Sequence, residues 1–191
     1  MAAVSRHTPV DRGDPDGHPS PAGVLALLHG DDDPAVVLTR RSPHLRSHTH
    51  EVAFPGGRRD PGDPDLWHTA LREAVEEVAL DPGLVERVGR LDAFETVGSR
   101  SLIVPFVAVA PRRPELTANP AEVEAIRHVP LRVLLDDAVW REEIWPLRGT
   151  ERAITFFELD GDTVWGATAA MLRQLLALVT GVDPRITGGP G

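Results

Sequence analysis

Gly56-Gly57-Arg58-Arg59-Asp60, continued through Leu71-Arg72-Glu73-Ala74-Val75-Glu76-Glu77-Val78, decides how the rest of the chain is read. A glycine loop runs into a helix-period segment that carries the carboxylates Glu73, Glu76 and Glu77. Glu73 and Glu77 are four residues apart, with Glu76 between them in angle, so spacing alone puts all three on one helix face. Carboxylates gathered that closely repel each other unless a cation sits among them. Mg2+ and Mn2+ suit such a cluster, because hard divalent ions take carboxylates, waters and substrate phosphates together. Taken alone, Glu76-Glu77 also fits a merely solvated helix face, the ordinary fate of adjacent glutamates.

Working outward, the spacing predicts that this helix starts with Asp63 as N-cap and Pro64 at the first helical position. It would bury Leu71, Ala74, Val75 and Val78 away from Glu73 and Glu76. A second helix is expected from Ala167 to Val179, with Leu172, Leu175, Leu176 and Val179 at helical spacing and a stop at Gly181; a weaker helical pattern covers Leu131 to Asp137. Strands are expected at Val24–Leu28 and Val36–Thr39, around the turn-forming run Gly30-Asp31-Asp32-Asp33-Pro34, and at Val88–Phe94, Leu102–Ala110, Ala153–Leu159 and Thr163–Trp165. Strands mixed with a few helices give an α/β fold, an α/β/α sandwich around a central sheet. Residues 1–20 are too poor in apolar side chains to offset ordering entropy and are expected as a flexible tail, 21–181 as the folded domain, and 182–191 as a second flexible tail.

The 191 residues suggest one domain of ordinary size, and the absence of cysteine excludes a disulfide scaffold, thiolate metal sites and cysteine nucleophiles. No run approaches the roughly 20 apolar residues that cross a bilayer, and the polar N-terminus lacks a signal-peptide pattern, which points to the cytoplasm. A net charge of −9 argues against binding nucleic acid through a broadly basic surface. A local basic patch remains at Arg40, Arg41 and Arg46.

These residues resemble a Nudix hydrolase signature. Gly57, Arg72, Glu73, Glu76, Glu77 and Leu80 stand in its order, with Asp63 where the first glutamate belongs and Ala79 where the signature has glycine. Arg72 is one residue further from Gly57 than in the general signature, a spacing similar to that of the coenzyme A diphosphatase branch. That branch is also resembled upstream, by Leu38-Thr39-Arg40-Arg41-Ser42, then Arg46, then Phe54-Pro55-Gly56-Gly57, with His50 in place of a glycine. Thr69-Ala70-Leu71-Arg72-Glu73 and Trp165-Gly166-Ala167-Thr168-Ala169 look like the same branch.

The resemblance implies a Nudix-type sandwich with a central mixed sheet. It also implies metal-dependent hydrolysis of the diphosphate bond of coenzyme A or acyl-coenzyme A, giving adenosine 3′,5′-bisphosphate and 4′-phosphopantetheine. The metal, Mg2+ or Mn2+, would be held by Glu73 and Glu77, with a backbone carbonyl of Gly56 or Gly57. Glu76 would be a further ligand or the base, and Arg72 would orient the carboxylates. Arg40, Arg41 and Arg46 would meet substrate phosphate, or would be ordinary exposed arginines at a strand end. Homodimerisation, common in the family, is compatible with the chain.

Other residues admit two readings. Glu122 and Glu124 resemble a downstream acidic segment that supplies another ligand or the base, or are surface charge. His44, His48 and His50 raise zinc binding, but neither cysteine nor regular helical spacing supports a closed site, and a solvated or substrate-lining loop fits better. Trp140, Trp145 and Trp165 suit core or dimer contacts more readily than substrate stacking. Two rival functions stand beside the first: hydrolysis of another nucleoside diphosphate derivative, such as a dinucleotide or nucleotide sugar, and a non-catalytic ligand-binding module.

Overall fold

The computed structural model describes residues 1–11, 14, 18–44, 50–96, 100–147 and 149–181. Its centre is β1 (Pro21–His29), buried along almost its whole length. Such continuous burial needs cover on both faces. Val24, Ala26 and Leu28 join one core and Leu25 and Leu27 the other, as strand alternation requires. β1 pairs in parallel with β7 (Leu102–Ala110) and antiparallel with β2 (Ala35–Arg41) and β4 (Gly56–Arg58). β3 (Val52–Ala53), β5 (Glu86–Arg90), β6 (Phe94–Glu95) and β8 (Val123–Pro130) complete a mixed eight-stranded sheet.

One face is covered by α2 (Leu66–Val78), whose Leu66, Ala70, Ala74 and Val78 pack with Leu25, Leu27 and Val37. The other is covered by α4 (Gly166–Thr180) and by a meander of β9 (Trp140–Leu147), β10 (Thr150–Leu159) and β11 (Asp162–Trp165). A short α3 (Leu131–Leu134) follows β8. Helix, sheet, helix is the layering expected, with a mixed central sheet.

Several local expectations need correction. Residues 1–11 are not a free tail: α1 (Ala2–Arg6) buries Val4 to 1% exposure in the α4-side core. His7 Nε2 and Asp92 Oδ1 are 2.8 Å apart, and the amide of Val10 donates to the same oxygen. One docked valine, worth about 1.5–3 kcal/mol on burial, holds a helix too short to stand alone, which average composition does not reveal. The expected tail at 182–191 lies outside the described residues.

The N-cap of α2 is Asp65, whose side chain accepts from the His68 amide at 2.9 Å. Asp63 is instead claimed by Arg72, by the Thr69 hydroxyl and by the Asp60 amide. The buried stripe of α2 also runs differently from expectation. Val75, nine residues after Leu66 and so about two and a half turns on, is 41% exposed, and Leu71 is only half-buried. The inward positions belong to the row Leu66, Ala70, Ala74, Val78 and, beside it, Glu77. β3, β4, β8 and β9 are strands beyond those expected from the sequence, β4 being the stretch expected as a glycine loop.

Candidate active site

The helix that packs on β1 carries two of its glutamates inward, so they must find partners where solvent is scarce. Glu77 is 3% exposed. The Gly56 amide donates to its Oε2 at 3.1 Å, and an Arg41 guanidinium nitrogen lies 3.9 Å from Oε1. Burial, which disfavours the charged form, outweighs these contacts and pushes the Glu77 carboxyl up to about 7; Glu73 and Glu122 nearby add to the rise. Burial likewise raises Glu73 above its ordinary value, against the pull of Arg72.

Gly57 makes room for this arrangement. A Cβ there would lie 2.4 Å from the Glu73 carboxyl carbon. Glycine is therefore required by close approach of a side chain, and β4 presses its backbone directly against the acidic helix.

Arg72 organises the rim. Its Nε donates to Asp63 Oδ1 at 3.1 Å, Nη1 to Glu76 Oε2 at 3.1 Å and Nη2 to the Arg58 carbonyl at 3.0 Å, while Nη2 also lies 3.0 Å from Glu73 Oε1. This is the fixed fork of a guanidinium shared among several anions. Its bonds to Asp63 hold that carboxyl down at about 2, and Arg72 itself is pushed up from its ordinary value. The shorter aspartate at the signature's glutamate position anchors Arg72 rather than capping the helix.

The third member of the carboxylate group is Glu122, not Glu76. Oxygens of Glu73, Glu77 and Glu122 lie within 4.8 Å of one another, the only such metal-compatible group among the described residues. Glu76 turns outward, with its side chain half exposed and held by Arg72. A donor set of carboxylates without sulfur or imidazole fits a hard divalent ion such as Mg2+ or Mn2+.

The basic patch divides. Successive strand residues face opposite sides of a sheet, so Arg41 reaches the carboxylates while Arg40 projects toward β11. There Arg40 Nη1 donates to Asp162 Oδ1 at 3.2 Å and Nη2 to Glu124 Oε1 at 3.1 Å; Arg127 holds the other oxygen of Asp162. Arg40 is thus engaged by Asp162 and Glu124 on the opposite face of the sheet from Arg41. Arg46 and His48 lie outside the described residues. His50 pairs with Glu124 at 3.1 Å and His44 is exposed. In the meander Phe156 and Trp165 stack, and Trp145 lies tilted against both.

Comparison with known proteins agrees with this geometry. A family model described as the NUDIX domain matches residues 19–148. The chain is 38% identical over 154 residues to "Uncharacterized Nudix hydrolase NudL" of Photorhabdus laumondii, covering 81% of this chain and 82% of that protein. It is 39% identical over 170 residues to "Nudix hydrolase 22, chloroplastic" of Arabidopsis thaliana, covering 84% of this chain and 56% of that one. Among solved structures, a C. elegans Ap4A hydrolase binary complex superposes with a TM-score of 0.55 at 17% identity, covering 84% of this chain and 97% of the other, a likeness of fold alone. The chain therefore belongs to the family of Nudix hydrolases.

Proposed function

We propose that the chain hydrolyses the diphosphate bond of coenzyme A or acyl-coenzyme A, with Mg2+ or Mn2+, to adenosine 3′,5′-bisphosphate and 4′-phosphopantetheine. The observation that carries this reading is Arg41. It lies in the stretch that resembles the coenzyme A branch, and its side chain is 31% exposed beside Glu77, with a guanidinium nitrogen 3.9 Å from Oε1. A guanidinium at the edge of the carboxylate group would meet a diphosphate oxygen bound there.

Glu73, Glu77 and Glu122 would hold the ion, and the pressed backbone of Gly57 fixes the approach of Glu73. A divalent ion bound there would supply positive charge to the diphosphate oxygens and make nearby water more acidic. Arg72 orients Glu73 and Glu76. Water forms the new P–O bond as the bridging P–O bond breaks and the departing phosphate takes its electron pair; the water proton passes to a carboxylate, a role that Glu76, outward and paired with Arg72 in this structure, would take only by turning inward.

The test compares kcat/KM for coenzyme A, acetyl-coenzyme A, a dinucleotide and a nucleotide sugar, with products separated by chromatography. Preference for the coenzyme A compounds with release of adenosine 3′,5′-bisphosphate supports the reading. Higher kcat/KM elsewhere on the panel would discard the substrate and keep the hydrolase; no turnover of any would favour a binding module.

A further inference from the structure

Glu122 reaches the site from a segment with no regular structure, between β7 and β8. A loop carboxylate contributes to a metal cage only if its backbone is fixed, because a displacement of about an ångström would cost the cluster its geometry. Two supports fix it. From the helix side, the amides of Thr117 and Asn119 donate to the carbonyls of Val78 and Glu77, both at 2.9 Å, tying the segment to the end of α2. From the other side comes Ser42, next to Arg41.

Ser42 is 1% exposed. Its amide donates to the Glu122 carbonyl at 2.8 Å and its hydroxyl to the Pro120 carbonyl at 3.2 Å. The hydroxyl so enclosed has little access to water, so this bond is not readily replaced when the side chain is removed. The backbone on both sides of Ala121 is thereby pinned by one residue, and the Asn119 side chain closes the turn by accepting from the Ala121 amide at 3.2 Å.

We infer that Ser42 is a positioning residue for Glu122: it sets the third carboxylate of the divalent-ion site and links it to Arg41. The inference rests on the reading of the glutamate trio as an ion site. Ser42 touches neither ion nor substrate in this role; it acts through the backbone of 120–122.

The test is Mn2+ binding to the intact chain by titration calorimetry, without substrate, so that the answer does not depend on which diphosphate is cleaved. Ser42→Ala is expected to raise the Kd for Mn2+ about 10-fold, the scale of losing an outer-shell support. In a Glu122→Gln background the same substitution is expected to change the Kd less than twofold, because the carboxylate it positions is already gone. Ser42→Cys, close in size with a weaker donor, is expected to fall between and serves if the alanine variant does not fold. An unchanged Kd in Ser42→Ala, or an equal loss in both backgrounds, would overturn the positioning role. A Glu122→Gln variant that binds Mn2+ like the parent would overturn both this inference and the ion-site reading beneath it.

Discussion

Gly57 and Glu73 are packed so closely that a Cβ on the glycine would stand 2.4 Å from the glutamate's carboxyl carbon and oxygen. The glycine loop and the acidic helix are therefore one device: β4 is held by β1, α2 packs on β1, and the space left between them is the size of a carboxylate. Gly57→Ala is expected to fold but to displace Glu73, weakening Mn2+ binding and lowering kcat/KM by about 10- to 100-fold. Calorimetry and steady-state kinetics check this, and parent-like values in both would contradict it.

Arg40 and Arg41, neighbours in sequence, are expected to fail in different ways. Arg40→Ala removes one of two arginines on Asp162, whose side chain is 4% exposed, and should cost about 1–3 kcal/mol in denaturant unfolding with KM little changed. Arg41→Ala should leave stability nearly unchanged and raise KM for the diphosphate substrate. The reverse pattern would exchange their roles.

Ala79 ends α2 in the left-handed region, at φ 52° and ψ 37°, with its amide reaching back to Val75 and the next residue, Leu80, buried. A side chain pays for that conformation where glycine does not. Ala79→Gly is accordingly expected to stabilise the protein by about 1 kcal/mol, read as a shift of the urea midpoint, without altering activity. Destabilisation would mean that the methyl group's packing outweighs the backbone strain.

His29 Nε2 and His128 Nδ1 lie 2.7 Å apart at the far end of β1 and β8. Burial, helped by the charge of Arg113, lowers both, His128 to about 4 from an ordinary 6.5. In the unfolded chain these rings take up protons near 6.5, so the folded state binds fewer protons between the two values. Stability is fully present above 6.5 and is lost as pH falls toward 4. His128→Asn should flatten that part of the stability–pH curve, measured by urea unfolding from pH 7.5 to 4; an unchanged slope would contradict it.

Much of this fold is legible where signals are local. Val24–Leu28 and Leu102–Ala110 are apolar runs bounded by turn residues, and they are the buried middle of the sheet. The acidic helix announces itself by spacing. β8 and β9 do not, because Glu124, Arg127 and His128 lie on a strand paired only with β2, and Arg141, Glu142 and Glu143 on an outer strand of the meander. Polar side chains cost little at an edge.

At the site, Glu73 and Glu77 face the sheet together as their spacing suggests, and Arg72 lies beside them, a placement that only the resemblance implied. Glu122 joins them through contacts with Ser42 and the end of α2 that no periodicity encodes. The division between Arg40 and Arg41, by contrast, was available in principle from the alternation of strand residues once β2 was extended to Arg41.

If the buried carboxylates run a metal-dependent diphosphate hydrolysis, removing the ion or one of its carboxylates must stop it. The most direct measurement is release of adenosine 3′,5′-bisphosphate from coenzyme A with Mn2+ or Mg2+, by the parent chain and by Glu77→Gln. Steady release by the parent is expected, none in EDTA, and a loss of at least about 100-fold in a Glu77→Gln variant that still folds. Release by Glu77→Gln at the parent rate, or undiminished release in EDTA, would contradict it.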